Sequence, residues 1–177
     1  MKIAFLIALL TVVFTASPLT AEQIVSIPDD IPGILGEIAV APINIDDGGG
    51  LQAFDLVITY DTSLLDLGNS DWQPGSLTGS AWDIFLNTNG DSGTAILTGF
   101  TTVALPSGVG GGSLAELDFH VAAAPGESAL VPTGMLNEFI VPAFDPGSIN
   151  AVPEPSTLAL LFALVGMASA LRLARRW

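Results

Sequence analysis

Phe54-Asp55-Leu56-Val57-Ile58-Thr59-Tyr60 is the stretch on which the fold class turns. Phe54, Leu56, Ile58 and Tyr60 occupy every second position, and Asp55, Val57 and Thr59 fill the places between. A period of two belongs to a strand with one face in a core and one in water, because successive side chains point to opposite faces. Leu117, Phe119 and Val121 repeat the pattern against Glu116, Asp118 and His120. Between Ile24 and Ala151 no convincing helical period appears. Gly, Pro, Asn, Asp and Ser interrupt the chain roughly every eight to twelve residues, the spacing of a sandwich or barrel.

Working outward, further strands are expected at 23–27, 36–45, 64–72, 82–87, 94–100, 129–132, 136–143 and 147–151. Asn87 to Gly93 has the composition of a hairpin loop, and Asp46-Asp47-Gly48-Gly49-Gly50 that of a turn. Gly108 to Gly112 forms a third loop. Ile38 and Val40 have the opposite parity from Ile43 and Ile45. If all four face inward, one extra residue must bulge out near Ala41-Pro42, where Pro42 lacks a donor.

The charge distribution divides the chain into three. Of 18 acidic residues, all but Glu154 lie between Glu22 and Pro153, and no Lys or Arg does, so this body carries a net charge of −17. The four basic residues are Lys2, Arg172, Arg175 and Arg176. Such a body repels phosphate, which excludes nucleic acid as a partner. The chain has no cysteine, hence no disulfide framework, and its single His120 leaves little room for a zinc site.

Residues 1–21 read as a signal-peptide helix: Lys2, a short apolar run from Ile3 to Phe14, the breaker Pro18 and a small residue at Ala21. At the other end, residues 152–177 read as a sorting segment with a transmembrane helix. Thr157 to Leu171 is 15 residues without a charge. As a helix it spans about 22 Å, shorter than the roughly 30 Å hydrocarbon core. The arginines behind it hold the C-terminus in the cytoplasm and leave the body on the far side. Val152-Pro153-Glu154-Pro155-Ser156, the apolar helix and Arg172, Arg175 and Arg176 together resemble a PEP-CTERM sorting signal. The resemblance implies a Gram-negative producer of extracellular polysaccharide. It also implies cleavage by an exosortase-type protease, a transient stay at the inner membrane and a final place at the cell surface or in its matrix.

The body, residues 22–151, has a second resemblance. Gly50-Leu51-Gln52-Ala53-Phe54-Asp55-Leu56-Val57-Ile58-Thr59-Tyr60-Asp61 is similar to the early core of a cohesin domain. Leu105 to Gly108, Gly112 to Val121, Ala124-Pro125-Gly126, Leu136-Asn137-Glu138 and Asp145 to Ile149 follow in the same order. The resemblance implies an all-β fold, a jelly-roll β-sandwich of about nine strands related to carbohydrate-binding modules. It further implies that one flat sheet face receives a dockerin, a small calcium-binding helical module. The family motif falls on Ala53 and Asp55; Asp55 matches, whereas many dockerin-binding members carry Asn where this chain has Ala53.

The candidate partner-binding residues are therefore Asp55, Val57 and Thr59, on the wet face of one strand. The competing reading is a carbohydrate-binding module for exopolysaccharide or plant polysaccharide, with Trp72 or Trp82 stacking on sugar rings; a third is a purely structural matrix protein. Chemistry finds little support. Gly90-Asp91-Ser92-Gly93 resembles the nucleophile loop of chymotrypsin-like proteases, but the only histidine follows the serine, so a hairpin is the better reading. Asn87, Asn89 and Asp91 alternate as in a calcium loop, yet Thr98 stands where the bidentate Glu belongs. No cofactor is expected. Weak calcium binding to so acidic a surface is plausible at no site the sequence locates. Glu116, Asp118 and His120 lie about 6.6–6.8 Å apart along one face, the spacing of a solvated surface rather than an ion site. The body reads as non-catalytic.

Overall fold

The computed structural model describes residues 22–154, 159–160 and 162–164. The expected signal peptide at 1–21, and Pro155, Arg172, Arg175 and Arg176 of the sorting motif, lie outside the described residues. Ala159, Leu160 and 162–164 are helical and exposed. Among the described residues no helix is long and apolar enough to cross a membrane.

The strands are β1 (Ile24–Ser26), β2 (Ile31–Ile34), β3 (Ile38–Asp47), β4 (Ala53–Thr59), β5 (Leu65–Asp66) and β6 (Trp72–Pro74), followed by β7 (Asp83–Asn89), β8 (Thr94–Phe100), β9 (Gly110–Val121), β10 (Gly126–Leu136), β11 (Ala143–Asp145) and β12 (Gly147–Val152). They form two six-stranded sheets. One runs β11-β1-β3-β9-β5, with β6 also paired to β9; the other runs β2-β12-β10-β4-β8-β7. The body is all-β, as expected, with twelve strands rather than about nine because short edge pieces join the long ones.

The alternating residues of β4 and β9 meet between the sheets. Phe54, Leu56, Ile58, Tyr60, Leu117, Phe119 and Val121 are all buried, each at most 7% exposed. Tyr60 sets its ring edge against Phe119 at 5.2 Å, and Phe54 stacks on Trp82 at 5.6 Å. Gly99 makes room for that stack, since a Cβ there would strike the Phe54 ring. Among the described residues, both sheets and the buried core lie within residues 24–152.

Four expectations are corrected. β3 does not bulge near Ala41-Pro42. It alternates regularly, with Ala39, Ala41, Ile43 and Ile45 inward and Ile38 and Val40 outward, 53% and 43% exposed. The extra residue sits across the ladder on β9: Ile43 pairs with Ala115 and Asn44 with Ser113, leaving Leu114 as the bulge. The expected strand 64–72 is two short ones, because Gly68 to Asp71 closes a turn in which the Gly68 N–H donates to Asp71 Oδ2 at 2.8 Å. The expected strand 136–143 is a loop. Asn137 and Glu138 take left-handed angles (φ 47° and 67°) and fold Ile140 back onto Leu136. β2, not expected at all, holds Pro32 and Gly33 because it is an edge strand, where proline is tolerated.

Candidate partner-binding face

The order β10-β4-β8-β7 lays four long strands side by side, and their outward residues form ranks across the sheet. One rank is Phe85, Thr98, Asp55 and Met135; the next is Asn87, Ile96, Val57 and Thr133; the third is Asn89, Thr94, Thr59 and Val131. Asp83, Phe100 and Ala53 make the rank at the other end. Asp55 and Thr59 are exposed and Val57 half-buried, so the three expected residues share one open surface. The Thr98 hydroxyl donates to Asp55 Oδ1 at 3.0 Å across the ladder, which fixes the carboxylate upright on the sheet.

The surface around Asp55 is apolar. Phe85, Ile96, Phe100, Val131 and Met135 are 59%, 40%, 45%, 39% and 42% exposed. The Phe85 and Phe100 rings stack at 6.2 Å. Ala53, Asp55, Thr98, Phe100, Met135 and Glu138 line a shallow notch of about 290 Å³. The small Ala53 side chain helps leave that notch open. Asn137 braces its floor: Oδ1 accepts from the N–H groups of Gln52 at 2.7 Å and Ala53 at 3.1 Å, and Nδ2 donates to the Gly50 carbonyl at 3.1 Å. Sequence reasoning missed Phe85, Phe100 and Met135. A signal for one was present, since Phe85 shares the parity of Asp83 and Asn87 and is thus an apolar residue on a polar face.

The other candidates fall elsewhere. Trp82 is 8% exposed and stacked on Phe54, so it offers no ring to a sugar. Trp72 stands opposite Leu117 on the other sheet and packs against the core. Both therefore serve packing, Trp72 half-buried, and the exposed rings on the β10-β4-β8-β7 face are Phe85 and Phe100 instead. Ser92 makes turn hydrogen bonds to the Asn89 carbonyl and Thr94 Oγ1, while His120 lies on β9 of the opposite sheet. No base reaches that serine. His120 Nε2 is 3.4 Å from Asp71 Oδ2. Asp118 is half-buried rather than fully outward, because β6 and Gln73 cover it. Among the described residues no cluster of three or more His, Cys, Asp or Glu is placed to hold a metal ion.

Solved structures share this architecture. A non-cellulosomal cohesin from the archaeon Archaeoglobus fulgidus aligns with a TM-score of 0.57 at 20% identity, over 78% of this chain and 97% of its own. CaCohA2 from Clostridium acetobutylicum gives 0.60 at 23%, over 74% and 91%. A type I cohesin–dockerin complex from Clostridium thermocellum gives 0.60 at 14%, over 74% and 99%. The body has the cohesin fold. Residues 151–176 match the PEP-CTERM protein-sorting motif. The cohesin-fold body thus runs directly into the sorting motif, for β12 ends at Val152 and Pro153 follows it. No curated protein matches the chain in sequence.

Proposed function

We propose that residues 22–151 form a non-catalytic protein-binding module carried to the cell surface or its matrix by its sorting motif. In this reading the outer face of β10-β4-β8-β7 receives the partner, with Asp55, Val57 and Thr59 at its centre and Phe85, Phe100 and Met135 around them. One observation carries the reading: an open sheet face sets the exposed apolar side chains Phe85, Ile96, Phe100, Val131 and Met135 around the hydrogen-bonded carboxylate of Asp55. Exposed apolar area of this kind marks an interaction site. The similar solved structures include cohesin–dockerin complexes, which makes a small dockerin-like protein the leading partner class. Ala53 and the Phe85–Phe100 pair shift the recognition away from a polar contact toward apolar packing. A basic group on the partner would meet Asp55, since the body has no cation of its own. Cleavage after export, in or near Pro153–Pro155, would free the body from residues 157–177.

The test is capture by immobilised residues 22–154 from the producer's secretome and from its exopolysaccharide, with and without calcium. A captured protein whose binding weakens by about 1–3 kcal/mol in Asp55→Ala, and falls in Phe100→Asp, supports the reading. Capture of polysaccharide alone, or of protein with both variants unaffected, overturns it.

A further inference from the structure

The sheet edges are unequal. β2 has four residues and carries Pro32, β11 has three, and β5 and β6 have two and three. Short strands and proline keep an edge from templating another chain. β7 is built differently. It runs seven residues, pairs only with β8, and contains no proline. After Asp83 at its start it has no charge, from Ile84 to Asn89, in a body of net charge −17.

Its open side can be read from one hydrogen bond. The Thr88 N–H donates to Asn69 Oδ1 at 2.7 Å and so points away from β8. In an antiparallel strand the outward main-chain groups recur at every second residue. Ile84 and Leu86 therefore also present N–H and C=O to the outside, and among the described residues none hydrogen-bonds them there. Phe85, between them, stands 59% exposed on the outer face.

We propose that β7 is a self-pairing edge. Two copies join antiparallel about a twofold axis at Phe85, and their six-stranded sheets become one continuous sheet. Asn69 selects the register. Pairing Ile84 of each copy with Leu86 of the other makes four main-chain hydrogen bonds and asks nothing of Thr88, which is already held. A register centred on Leu86 would set Ile84 against Thr88 and compete with Asn69. In the chosen register Asp83 lies opposite Asn87, so no like charges face each other. The two Phe85 side chains meet at a non-hydrogen-bonded pair, where side chains approach most closely. The apolar strip from Phe100 to Phe85 then continues across the axis into the second copy. A second copy fits better than a foreign strand because the open groups, the charges and the aromatic rings all complement themselves. The dimer would present two Asp55 faces on one surface, a bivalent display. The pairing itself does not depend on any partner at Asp55.

The absence of cysteine allows a direct test on residues 22–154. Phe85→Cys introduces the only thiol, opposite its own copy across the proposed axis. Under mild oxidation it should form a covalent dimer at least about tenfold faster than Thr133→Cys, an exposed position in the middle of the sheet. Wild type should sediment as a concentration-dependent dimer, more so at high salt because screening relieves repulsion between two acidic bodies. Phe85→Asp should sediment as a monomer that keeps the β-rich circular dichroism spectrum of the folded body, with a melting temperature that no longer depends on protein concentration. Equal cross-linking rates for the two cysteine variants overturn the proposal. So does a monomeric wild type up to about 1 mM, or a dimer that persists in folded Phe85→Asp.

Discussion

Tyr60 is the single tyrosine, and its hydroxyl is buried with no hydrogen-bond partner. Burial, and then the charge of Asp66, push its pKa above the ordinary value of 10.0. The neutral form is therefore the one the fold favours. Its contribution to stability is full below pH 10, where the unfolded chain would begin to ionise, and is lost as pH rises through the folded pKa. Tyr60→Phe should remove this alkaline limb and raise stability at neutral pH by about 1 kcal/mol, because an orphaned buried hydroxyl is deleted and the ring stays. Urea unfolding at several pH values checks both. Asp61 shows the opposite shift. The Ser63 hydroxyl and then the Ser63 N–H donate to its carboxylate and hold its pKa below the usual 3.8. That contribution is present above the unfolded pKa and fades as pH falls through the folded one. In Ser63→Ala the Asp61 pKa should rise partway back, since the N–H bond remains; carbon-detected NMR titration of the carboxyl reads it directly.

Among the elements, legibility followed the strength of alternation. β4 and the later half of β9 could be read because large apolar residues occupy one parity and polar ones the other. β3 could not, since both parities carry apolar residues. Ile38 and Val40 are the larger pair, yet the packing takes the small Ala39 and Ala41 inward. Which parity wins depends on what the partner strand offers, and that strand lies seventy residues away in sequence, roughly, where no local pattern sees it. The site was half-legible for the same reason. Asp55, Val57 and Thr59 share one strand, whereas Phe85, Phe100 and Met135 reach it only through the strand order. The loop after β10 failed because its apolar residues look like a strand, while Asn137 redirects the chain. Asn137→Ala removes three hydrogen bonds to the start of β4 and leaves the Gln52 and Ala53 N–H groups without their acceptor. The variant should lose about 1–3 kcal/mol, and hydrogen exchange should quicken at Gln52 and Ala53 before it does in the core.

For the whole molecule the governing fact is charge without a counter-charge. Seventeen carboxylates surround a core with no Lys or Arg among them, and the one ion pair among the described residues, His120 with Asp71, needs a protonated histidine. Cohesion comes from apolar burial and the sheet ladders, and the surface works against it by self-repulsion. Because the acidic residues are dispersed, most repulsion acts over long separations, where screening is most effective. The Debye length falls from about 30 Å at 0.01 M salt to about 10 Å at 0.1 M. The melting temperature of residues 22–154 should therefore rise with sodium chloride from 0.01 to 0.5 M. A gain of about 1 kcal/mol would appear as about 3–5 °C for a body of this size. Scanning calorimetry measures it, with sucrose at matched osmolality as the control that stabilises without screening. Magnesium and calcium should follow the same curve when compared at equal ionic strength, since no carboxylate cluster among the described residues is shaped for an ion. A calcium response that saturates at low concentration and far exceeds magnesium would show a discrete site, and the picture of diffuse repulsion would then fail.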